Sequence, residues 1–508
     1  MAMLHRRPSN GSRRLEQRSS ASTDPPTAPR PSGTSMRTMC AMRPKLASVR
    51  RRKTTMPKGE PRLHSPPPSR SRWIQRGLAV LVAMIATTVF IRSIDPGIQF
   101  GVLGSTCAPE RVNALKRTGV DLAQVDVLWD RLEPVPGRVD HGYAAELATT
   151  IETCRDSGIE VILGLGLQYA PDWVSRLPNG EYLDQTGNVN PTRVPNVVFS
   201  PEVREAFTNH AIRVLGLLPE GSVHAIRLGT SEAGELGYPG AGEDGMGPET
   251  GFWAFNETAR TGAGLPPGIN QGPLPGWKPG DRTWRGHDLT ADQVANWFRW
   301  YSEAATEAVL WQADMLRDVG YVGNFHVPLA GRGTLPRDLR QALASELDGT
   351  GDRDGSLERG LYYPEQLQAL KDGIGTGDLV ADITALDDAT AVQARIRQPG
   401  ADTCNPDDQE IDLIADTDVD RWSAARWTIA NARKAGLDVI GENPGSPYAS
   451  GTGGAAESDD LQNQMVHAPR YAAECGLSAF LWAFEDDLFG DPQKLTVDDY
   501  RAAISAYK

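Results

Sequence analysis

The sequence has few cysteines and no recognisable metal or nucleotide motif. Five cysteines occur in 508 residues, and no two of them have the spacing of a zinc site. Gly101 and Gly104 lack the rest of the Gly-rich nucleotide fingerprint. The sequence therefore implies neither a metal nor a cofactor. The body of the chain contains an even number of cysteines, which permits two disulfides whose pairing stays open: Cys107, Cys154, Cys404 and Cys475.

Acidic residues are scarce at the start of the chain and abundant afterwards. Residues 1–77 contain 18 Lys and Arg against three acids, a net charge of +15, whereas the remainder contains 34 basic and 62 acidic residues, a net charge of −28. Residues 1–76 are also rich in Arg, Ser and Pro, so we expect a disordered basic tail in the cytoplasm. Because the basic part is not the folded part, the composition argues against a nucleic-acid partner.

Long hydrophobic runs are missing, with one exception at residues 77–91, which lie between Arg76 and Arg92. This run is short for a spanning helix, which needs about 20 residues, but it fits a signal-peptide core or a signal anchor. No clear small-residue cleavage site follows it, which favours a transmembrane anchor at residues 77–92. Positive residues stay on the cytoplasmic side. We therefore expect the acidic body to lie outside the cytoplasm at the cell membrane, or to be secreted if the segment is cleaved.

Apolar strand patterns alternate with amphipathic helix patterns in the rest of the chain. Eight strands are predicted, at residues 98–103, 122–128, 159–165, 223–228, 324–329, 379–383, 437–442 and 477–484. This count over about 400 residues predicts an α/β fold, a (β/α)8 TIM barrel at residues 97–508. An open doubly wound sheet is the competing architecture. A Gly-, Pro- and aromatic-rich insertion at residues 237–290 is predicted to form a lid or a binding loop.

Glutamates follow two of the predicted strands. Glu442 ends strand seven before an Asn-Pro-Gly turn, and Glu232 and Glu235 follow strand four. The carboxyl ends of strands four and seven face each other across the mouth of a barrel. Two carboxylates above one pocket are what glycosidic cleavage requires, since one protonates the leaving oxygen and the other attacks the anomeric carbon or activates water.

Aromatic residues also follow the predicted strands, and sugar rings stack on such side chains. They are Trp129, Tyr169, Trp173, Tyr238, Tyr448 and Trp482. Further candidate substrate-binding residues are Arg131, Ser231, Asn324 and His326, and weaker candidates are Asp382 and Asp387. Taken singly, each aromatic is more typical of core or rim packing, and His326 is more typical of a packed, hydrogen-bonded histidine. Arg131 fits a structural salt bridge equally well. The set as a whole predicts a carbohydrate site at the rim.

Several segments resemble clan A glycoside hydrolases, and family 42 β-galactosidases in particular. Residues 129–134 (Trp-Asp-Arg-Leu-Glu-Pro) are similar to the family's second-strand segment, and residues 170–173 (Ala-Pro-Asp-Trp) to its third-strand turn. Residues 442–445 (Glu-Asn-Pro-Gly) resemble the segment around its seventh-strand nucleophile, and Trp482 falls where the clan has its eighth-strand tryptophan. The resemblance spans about residues 97–490, and it implies that Glu442 is the nucleophile.

Strand four departs from that family. The clan has Asn-Glu there, whereas this chain has Ser231 before Glu232, and the zinc-binding cysteines of many family 42 enzymes are missing. Residues 233–239 (Ala-Gly-Glu-Leu-Gly-Tyr-Pro) are similar to a segment of the family 14 β-amylases that contains the proton donor. That resemblance favours Glu235 as the acid, whereas the position directly after the apolar run favours Glu232.

These observations predict a glycoside hydrolase that acts on oligo- or polysaccharides outside the cytoplasm. We expect retaining, β-galactosidase-like cleavage by Glu442 with Glu232 or Glu235 as the acid/base. The alternatives are an inverting, β-amylase-like hydrolase with Glu235 as the acid, and a non-catalytic barrel that binds polysaccharide.

Overall fold

The structure is a computed structural model that describes residues 97–240, 251–349, 355–384, 386–388, 391–392, 400–445, 457–489 and 495–508. Two units are distinguished, Met1–Ile94 and Asp95–Lys508, and the described residues belong to the second. The predicted tail at residues 1–76 and the predicted anchor at residues 77–92 lie outside the described residues. Within the described ranges, no helix has the length and the apolar character needed to cross a membrane.

Eight parallel strands close into a barrel, which confirms the predicted (β/α)8 architecture. They are β1 Gln99–Val102, β2 Leu122–Asp126, β3 Glu160–Gly164, β4 Ala225–Arg227, β5 Asn324–Leu329, β6 Leu379–Ile383, β7 Asp438–Glu442 and β8 Ala479–Trp482. Each strand pairs with the next along the chain, and β8 pairs with β1 to close the sheet. Because the strands are parallel, all of their carboxyl ends lie at one mouth of the barrel.

Helices follow the strands on the outside of the barrel. They are α1 Pro109–Thr118, α2 Trp129–Leu132, α3 His141–Asp156, α4 Asp172–Ser175, α5 Pro201–Leu217, α6 Glu257–Thr261, α7 Ala291–Asp318, α8 Pro336–Leu343, α9 Tyr363–Ile374, α10 Ala424–Lys434, α11 Glu457–Glu474, α12 Glu485–Phe489 and α13 Val497–Ser505. The long helix α7 begins with a capping box, in which the side chains of Thr290 and Gln293 bond to each other's backbone N–H groups.

Side chains of the strands alternate between the barrel interior and the layer beneath the helices. Ala123 and Val125 pack in the outer core, whereas Leu122 joins the interior cluster, so Gln124 and Asp126 also point inward. The interior cluster is aliphatic and consists of Leu103, Leu122, Ile162, Ala225, Ile440, Ala479, Leu481 and Ala483. This cluster fills the barrel interior and reaches the mouth beside β1 and β8 through Leu103, Leu481 and Ala483. The inward positions nearest the mouth on β2, β4, β6 and β7 are polar.

The insertion after β4 is described from residue 251 onward. It contains α6 and a small hairpin of Thr283–Trp284 with His287–Asp288, and it packs on aromatic residues of α7. Tyr301 of α7 stacks on Tyr238, with ring centroids 4.0 Å apart. This packing ties the insertion to the barrel wall beside β4 and β5.

Two disulfides join the four body cysteines. Cys107, before α1, is bonded to Cys154 of α3, and Cys404 is bonded to Cys475, which follows α11. The bonds close segments with sequence separations of 47 and 71 residues. Constraining loops of that length in the unfolded chain stabilises the fold by about 4 kcal/mol each in the chain-entropy model.

Candidate active site

Charged side chains of four strands converge at the carboxyl-terminal mouth of the barrel. They occupy the inward position nearest the mouth on β2, β4, β6 and β7, and are Asp126, Arg227, Asp382 and Glu442. On β5 that position belongs to Pro328, and His326 lies one inward position deeper, level with Arg227 of β4. The outward neighbours on the same strands, such as Ile226, Val327 and Ala381, are buried in the outer core. The period-two alternation of parallel strands therefore brings residues far apart in sequence into one site.

Arg227 lies at the centre of this site. Its Nη1 is 3.0 Å from Oε1 of Glu442, its Nη2 is 3.6 Å from Oδ2 of Asp382, and its side chain is 13% exposed. Burial alone would lower the pKa of Arg227, because it disfavours the charged guanidinium. The negative charges of four carboxylates outweigh this effect and raise the pKa of Arg227; they belong to Glu442, Asp382, Asp126 and Glu235. Arg227 is therefore a fixed positive charge surrounded by four carboxyl groups.

Glu442 and Asp382 form a buried carboxyl pair beside Arg227. Burial raises the pKa of both groups, and the cation of Arg227 acts in the opposite direction on each. The negative charge of Asp382 raises the pKa of Glu442 further, because two neighbouring carboxylates repel each other in a buried site. The pair consequently retains one shared proton above the pH at which an exposed carboxyl would lose it.

Glu235 reaches the same mouth because the chain returns to the barrel after a tight loop. The N–H of Leu236 donates to the carbonyl of Pro328, and Leu236 forms a parallel bridge with Leu329 of β5. The carboxylate of Glu235 accepts hydrogen bonds from Nη2 of Arg359 at 2.8 Å and from Oγ1 of Thr384 at 2.9 Å. Its negative charge acts on the pKa of both Glu442 and Asp382, which places it within the cluster.

Glu232 belongs to the loop that precedes this return. The strand β4 ends at Arg227, and Glu232 lies five positions beyond it. It belongs to a turn that is closed by a hydrogen bond from the N–H of Gly234 to the carbonyl of Ser231. Both carboxylate oxygens of Glu232 accept the N–H of Gly240 at 3.1 Å. Glu232 thus anchors the start of the insertion, while its charge also acts on Arg359.

Ser231 and His326 have supporting positions. Oγ of the buried Ser231 accepts the backbone N–H of Glu235 at 3.1 Å, which holds the loop in its folded-back form. His326 lies inside the barrel, where burial and then the positive neighbours His224 and Arg227 lower its pKa to about 3. Its imidazole is therefore neutral. Asn324 begins β5 and lies at the opposite end of that strand from the mouth.

The aromatic candidates are mostly parts of the core. Trp129 is fully buried and stacks on His210, and Trp482 is fully buried beside Tyr500. Tyr238 donates its hydroxyl to the carbonyl of Tyr301. These rings stabilise the wall of the barrel and present little surface to a ligand.

Two further predicted positions are outside the cluster, and a third is not described. Trp173 is half-buried and donates its indole N–H to the carbonyl of Glu133. Arg131 lies on the surface helix α2, where it forms an exposed ion pair with Glu146. Tyr448 lies outside the described residues.

Two exposed aromatic residues follow strands at the mouth. Tyr169, after β3, is 40% exposed, and Phe484, after β8, is 48% exposed. Burial and then the nearby carboxylate of Asp126 raise the pKa of Tyr169 to about 12, so its hydroxyl stays protonated beside the acidic cluster. Either ring offers an open face on which a sugar could stack.

Sequence reasoning missed several residues of the site. They are Gln124, Asp126, Arg227, Arg359 and Thr384. Asp126 and Arg227 carry a usable signal, because a charged residue at an inward position of an otherwise apolar strand has to be paired. Arg359 carries no such signal, since it reaches Glu235 from a loop 124 positions away.

The described part of the chain contains no group of three His, Cys, Asp or Glu side chains that could hold a metal ion. The site consists instead of carboxyl groups that are paired with guanidinium groups or with one another. Such an arrangement can donate and accept protons at two points of one pocket.

The sequence matches no family model and no curated protein. Solved structures with the same fold include the catalytic domain of β-amylase from Paenibacillus polymyxa, at a TM-score of 0.50 and 13% identity over 82% of this chain and 100% of that chain. A β-galactosidase from Marinomonas ef1 matches at a TM-score of 0.45 and 13% identity, over 80% of this chain and 62% of that one. The similarity to the β-amylase domain agrees with the (β/α)8 barrel fold of this chain.

Proposed function

We propose that this chain hydrolyses O-glycosidic bonds of oligo- or polysaccharides, with Glu235 as the general acid and Glu442 as the general base of an inverting reaction. One observation carries the proposal. Glu235, after β4, and Glu442, at the end of β7, share one barrel mouth beside Arg227, where the charge of Glu235 raises the pKa of Glu442. Glycosidic cleavage needs two carboxyl groups at one pocket, one protonated and one ionised.

The charges of the site supply those two states. The site contains four carboxyl groups and two guanidinium groups, those of Arg227 and Arg359. If every carboxyl group were ionised, the largely buried mouth would hold an excess of negative charge. Retained protons remove this excess at low cost. One proton is shared within the Asp382–Glu442 pair.

Arg227 favours the ionised form of Glu442, which a general base requires. The guanidinium is 3.0 Å from Glu442 and 3.6 Å from Asp382, so it stabilises negative charge better on Glu442. The negative charge of Asp382 acts in the opposite direction and raises the pKa of Glu442. The ionised Glu442 activates water as the general base, while Glu235 protonates the leaving oxygen from the opposite side of the scissile bond.

The inverting outcome is supported by residues 233–239, which are similar to the proton-donor segment of β-amylases and which bring Glu235 to the barrel mouth. The fold shared with a β-amylase catalytic domain is consistent with this choice. A retaining reaction would use the same two glutamates, with Glu442 attacking the anomeric carbon directly. The two reactions differ in the configuration of the released sugar, which can be measured.

The test is to incubate the protein with maltooligosaccharides and with aryl β-galactosides while proton NMR follows the anomeric signals. We expect the first detectable product to have the inverted configuration. Glu235→Gln and Glu442→Gln should each lower kcat by about a thousandfold or more, since acid–base groups contribute about 10²–10⁴-fold each. Glu232→Gln is the matched control and should change kcat by less than tenfold. Loss of activity in Glu232→Gln with activity retained in Glu235→Gln would overturn the assignment.

We further propose that the barrel works outside the cytoplasm, held by the hydrophobic segment at residues 77–92. The two disulfides support this location, because such bonds persist in oxidising compartments and are rare in the cytosol. Protease treatment of intact cells tests it. The barrel should be degraded without cell lysis, and a barrel protected until lysis would contradict the proposal.

A further inference from the structure

Helix α7 buries a polar side chain directly behind the loop that carries Glu235. Gln312 is 2% exposed, and Val309 and Leu316, one turn away on the same face of α7, are fully buried apolar residues. Nε2 of Gln312 donates a hydrogen bond to the backbone carbonyl of Gly229 at 2.9 Å. Because burying an amide costs free energy unless the amide is paired, this bond stabilises both groups that form it.

Gly229 is the residue at which the chain leaves the sheet after β4. The N–H of Leu228 still donates to the carbonyl of His326 on β5, whereas the carbonyl of Gly229 accepts its bond from Gln312. The helix therefore supplies a hydrogen bond of the kind that a neighbouring strand supplies within the sheet.

The position of Gly229 is transmitted to Glu235 by the loop itself. A Cβ atom at Gly229 would collide with the carbonyl oxygen of Gly234, so the two backbone segments are in direct contact. The carbonyl of Glu235 also accepts the N–H groups of Thr230 and Ser231, at 2.9 and 3.1 Å. The loop is therefore stiff, and a shift of Gly229 would move Glu235 with it.

A small cavity gives this loop room to shift. It has a volume of about 40 Å³, and its lining includes Gly229, Gly234 and Gln312 together with Asp126 and Arg227 of the site. That volume exceeds the roughly 10–15 Å³ that one water molecule needs. The hydrogen bond from α7 thus fixes a loop that has space beside it.

We propose that Gln312 is a positioning residue that holds Glu235 where it can donate a proton to the leaving oxygen. This inference rests on the proposed function of Glu235 as the general acid. Gln312 acts through Gly229 and through the stiff loop that follows it. A displacement of about 1 Å at a reacting group can lower a rate about a hundredfold, so a single bond behind the loop affects catalysis.

The kinetic test replaces Gln312 with Leu, which removes the donor and keeps a side chain of similar size. The probes are phenyl and 2,4-dinitrophenyl glycosides, each as the α-maltoside and the β-galactoside. A phenolate leaves with the help of a proton from the acid, whereas dinitrophenolate is a weak base that leaves without one. We expect kcat to fall about tenfold or more for the phenyl glycoside and less than about threefold for the dinitrophenyl glycoside, with KM little changed.

The matched control is Gln366→Leu. Gln366 of α9 is also 2% exposed, and its Nε2 donates to Oγ1 of Thr306 at 3.1 Å, so its loss removes a buried hydrogen bond elsewhere in the fold. This control should leave the ratio of the two kcat values unchanged. Hydrogen exchange of the amides of residues 229–237, followed by mass spectrometry, should become about tenfold faster in Gln312→Leu and stay unchanged in Gln366→Leu.

Equal losses of kcat with both leaving groups, or unchanged hydrogen exchange of residues 229–237, would overturn the proposal. Gln312→Met also lacks the donor and gives the same two measurements if Gln312→Leu does not fold. Failure of the proposed function is distinguishable, because the unsubstituted protein would then hydrolyse none of the probes. The exchange experiment still decides whether Gln312 holds the loop.

Discussion

Replacing Arg227 with Gln removes the cation from a site that holds two buried carboxyl groups. The distance of 3.0 Å between Arg227 and Glu442 corresponds to a gross attraction of about 5 kcal/mol at an effective dielectric constant of about 20. Desolvation offsets much of this attraction in the intact site. Removing one partner nevertheless leaves the other charge buried, which costs about 3–5 kcal/mol. We therefore expect Arg227→Gln to destabilise the fold by that amount at pH 8.

The loss of folding stability in Arg227→Gln should be smaller at low pH than at high pH. Burial raises the pKa of Glu442 and of Asp382, and Arg227 counteracts it. Without Arg227 both pKa values rise further, so the carboxyls take up protons more readily as the pH falls. Protonation removes the unpaired charge that causes the destabilisation. The difference in stability between Arg227→Gln and the parent should therefore be smaller at pH 5 than at pH 8.

Urea denaturation followed by tryptophan fluorescence at pH 5 and pH 8 measures this difference. Arg131→Gln is the matched control, because Arg131 pairs with Glu146 on the surface and should cost less than about 1 kcal/mol. Adding Glu442→Gln to Arg227→Gln should recover about 2 kcal/mol or more, since it removes one unpaired charge. The reasoning is refuted if Arg227→Gln costs no more than Arg131→Gln, or if its cost is the same at both pH values.

Three further predictions test other parts of the molecule. Asp382→Asn removes the carboxyl neighbour that raises the pKa of Glu442. The acid limb of the pH profile of kcat/KM should therefore move to lower pH. An unmoved acid limb would contradict the shared proton. Phe484→Ala removes an exposed ring at the mouth. Steady-state kinetics should show KM raised several-fold with little change in kcat. A fall in kcat alone would argue against a binding role for this ring. Replacing Cys404 and Cys475 with Ser removes a disulfide that joins residues with a sequence separation of 71. The free energy of unfolding, measured by urea denaturation, should fall by about 4 kcal/mol. An unchanged midpoint would show that the disulfide does not stabilise the fold.

The barrel was predictable because its evidence is local. Short apolar runs separated by amphipathic helices are visible in the sequence, and eight of them suffice to close a parallel sheet. Strand ends were less certain. Residues 223–228 predict one continuous strand, whereas β4 covers Ala225–Arg227 and the chain then leaves the sheet. Strand edges depend on hydrogen bonds to neighbouring strands, which the sequence of one segment does not contain.

The aromatic candidates show a different difficulty. A tryptophan after a strand has the same sequence pattern whether it faces a ligand or the core. Trp129 lies against His210 and Phe207 of α5, about 80 positions further along the chain, and is buried by them. The exposed rings at the mouth are instead Tyr169 and Phe484. Only the packing of distant helices separates the two groups.

The sequence by itself determined the barrel class and the position of Glu442, because β7 is a buried apolar run that ends in that carboxylate. The tertiary structure decided what surrounds it. Arg227 and Asp382 come from other strands, and their charges meet Glu442 because inward positions of parallel strands converge at one end. The place of Glu235 beside them depends on a hydrogen bond from Leu236 to Pro328, a contact formed only once the barrel has closed.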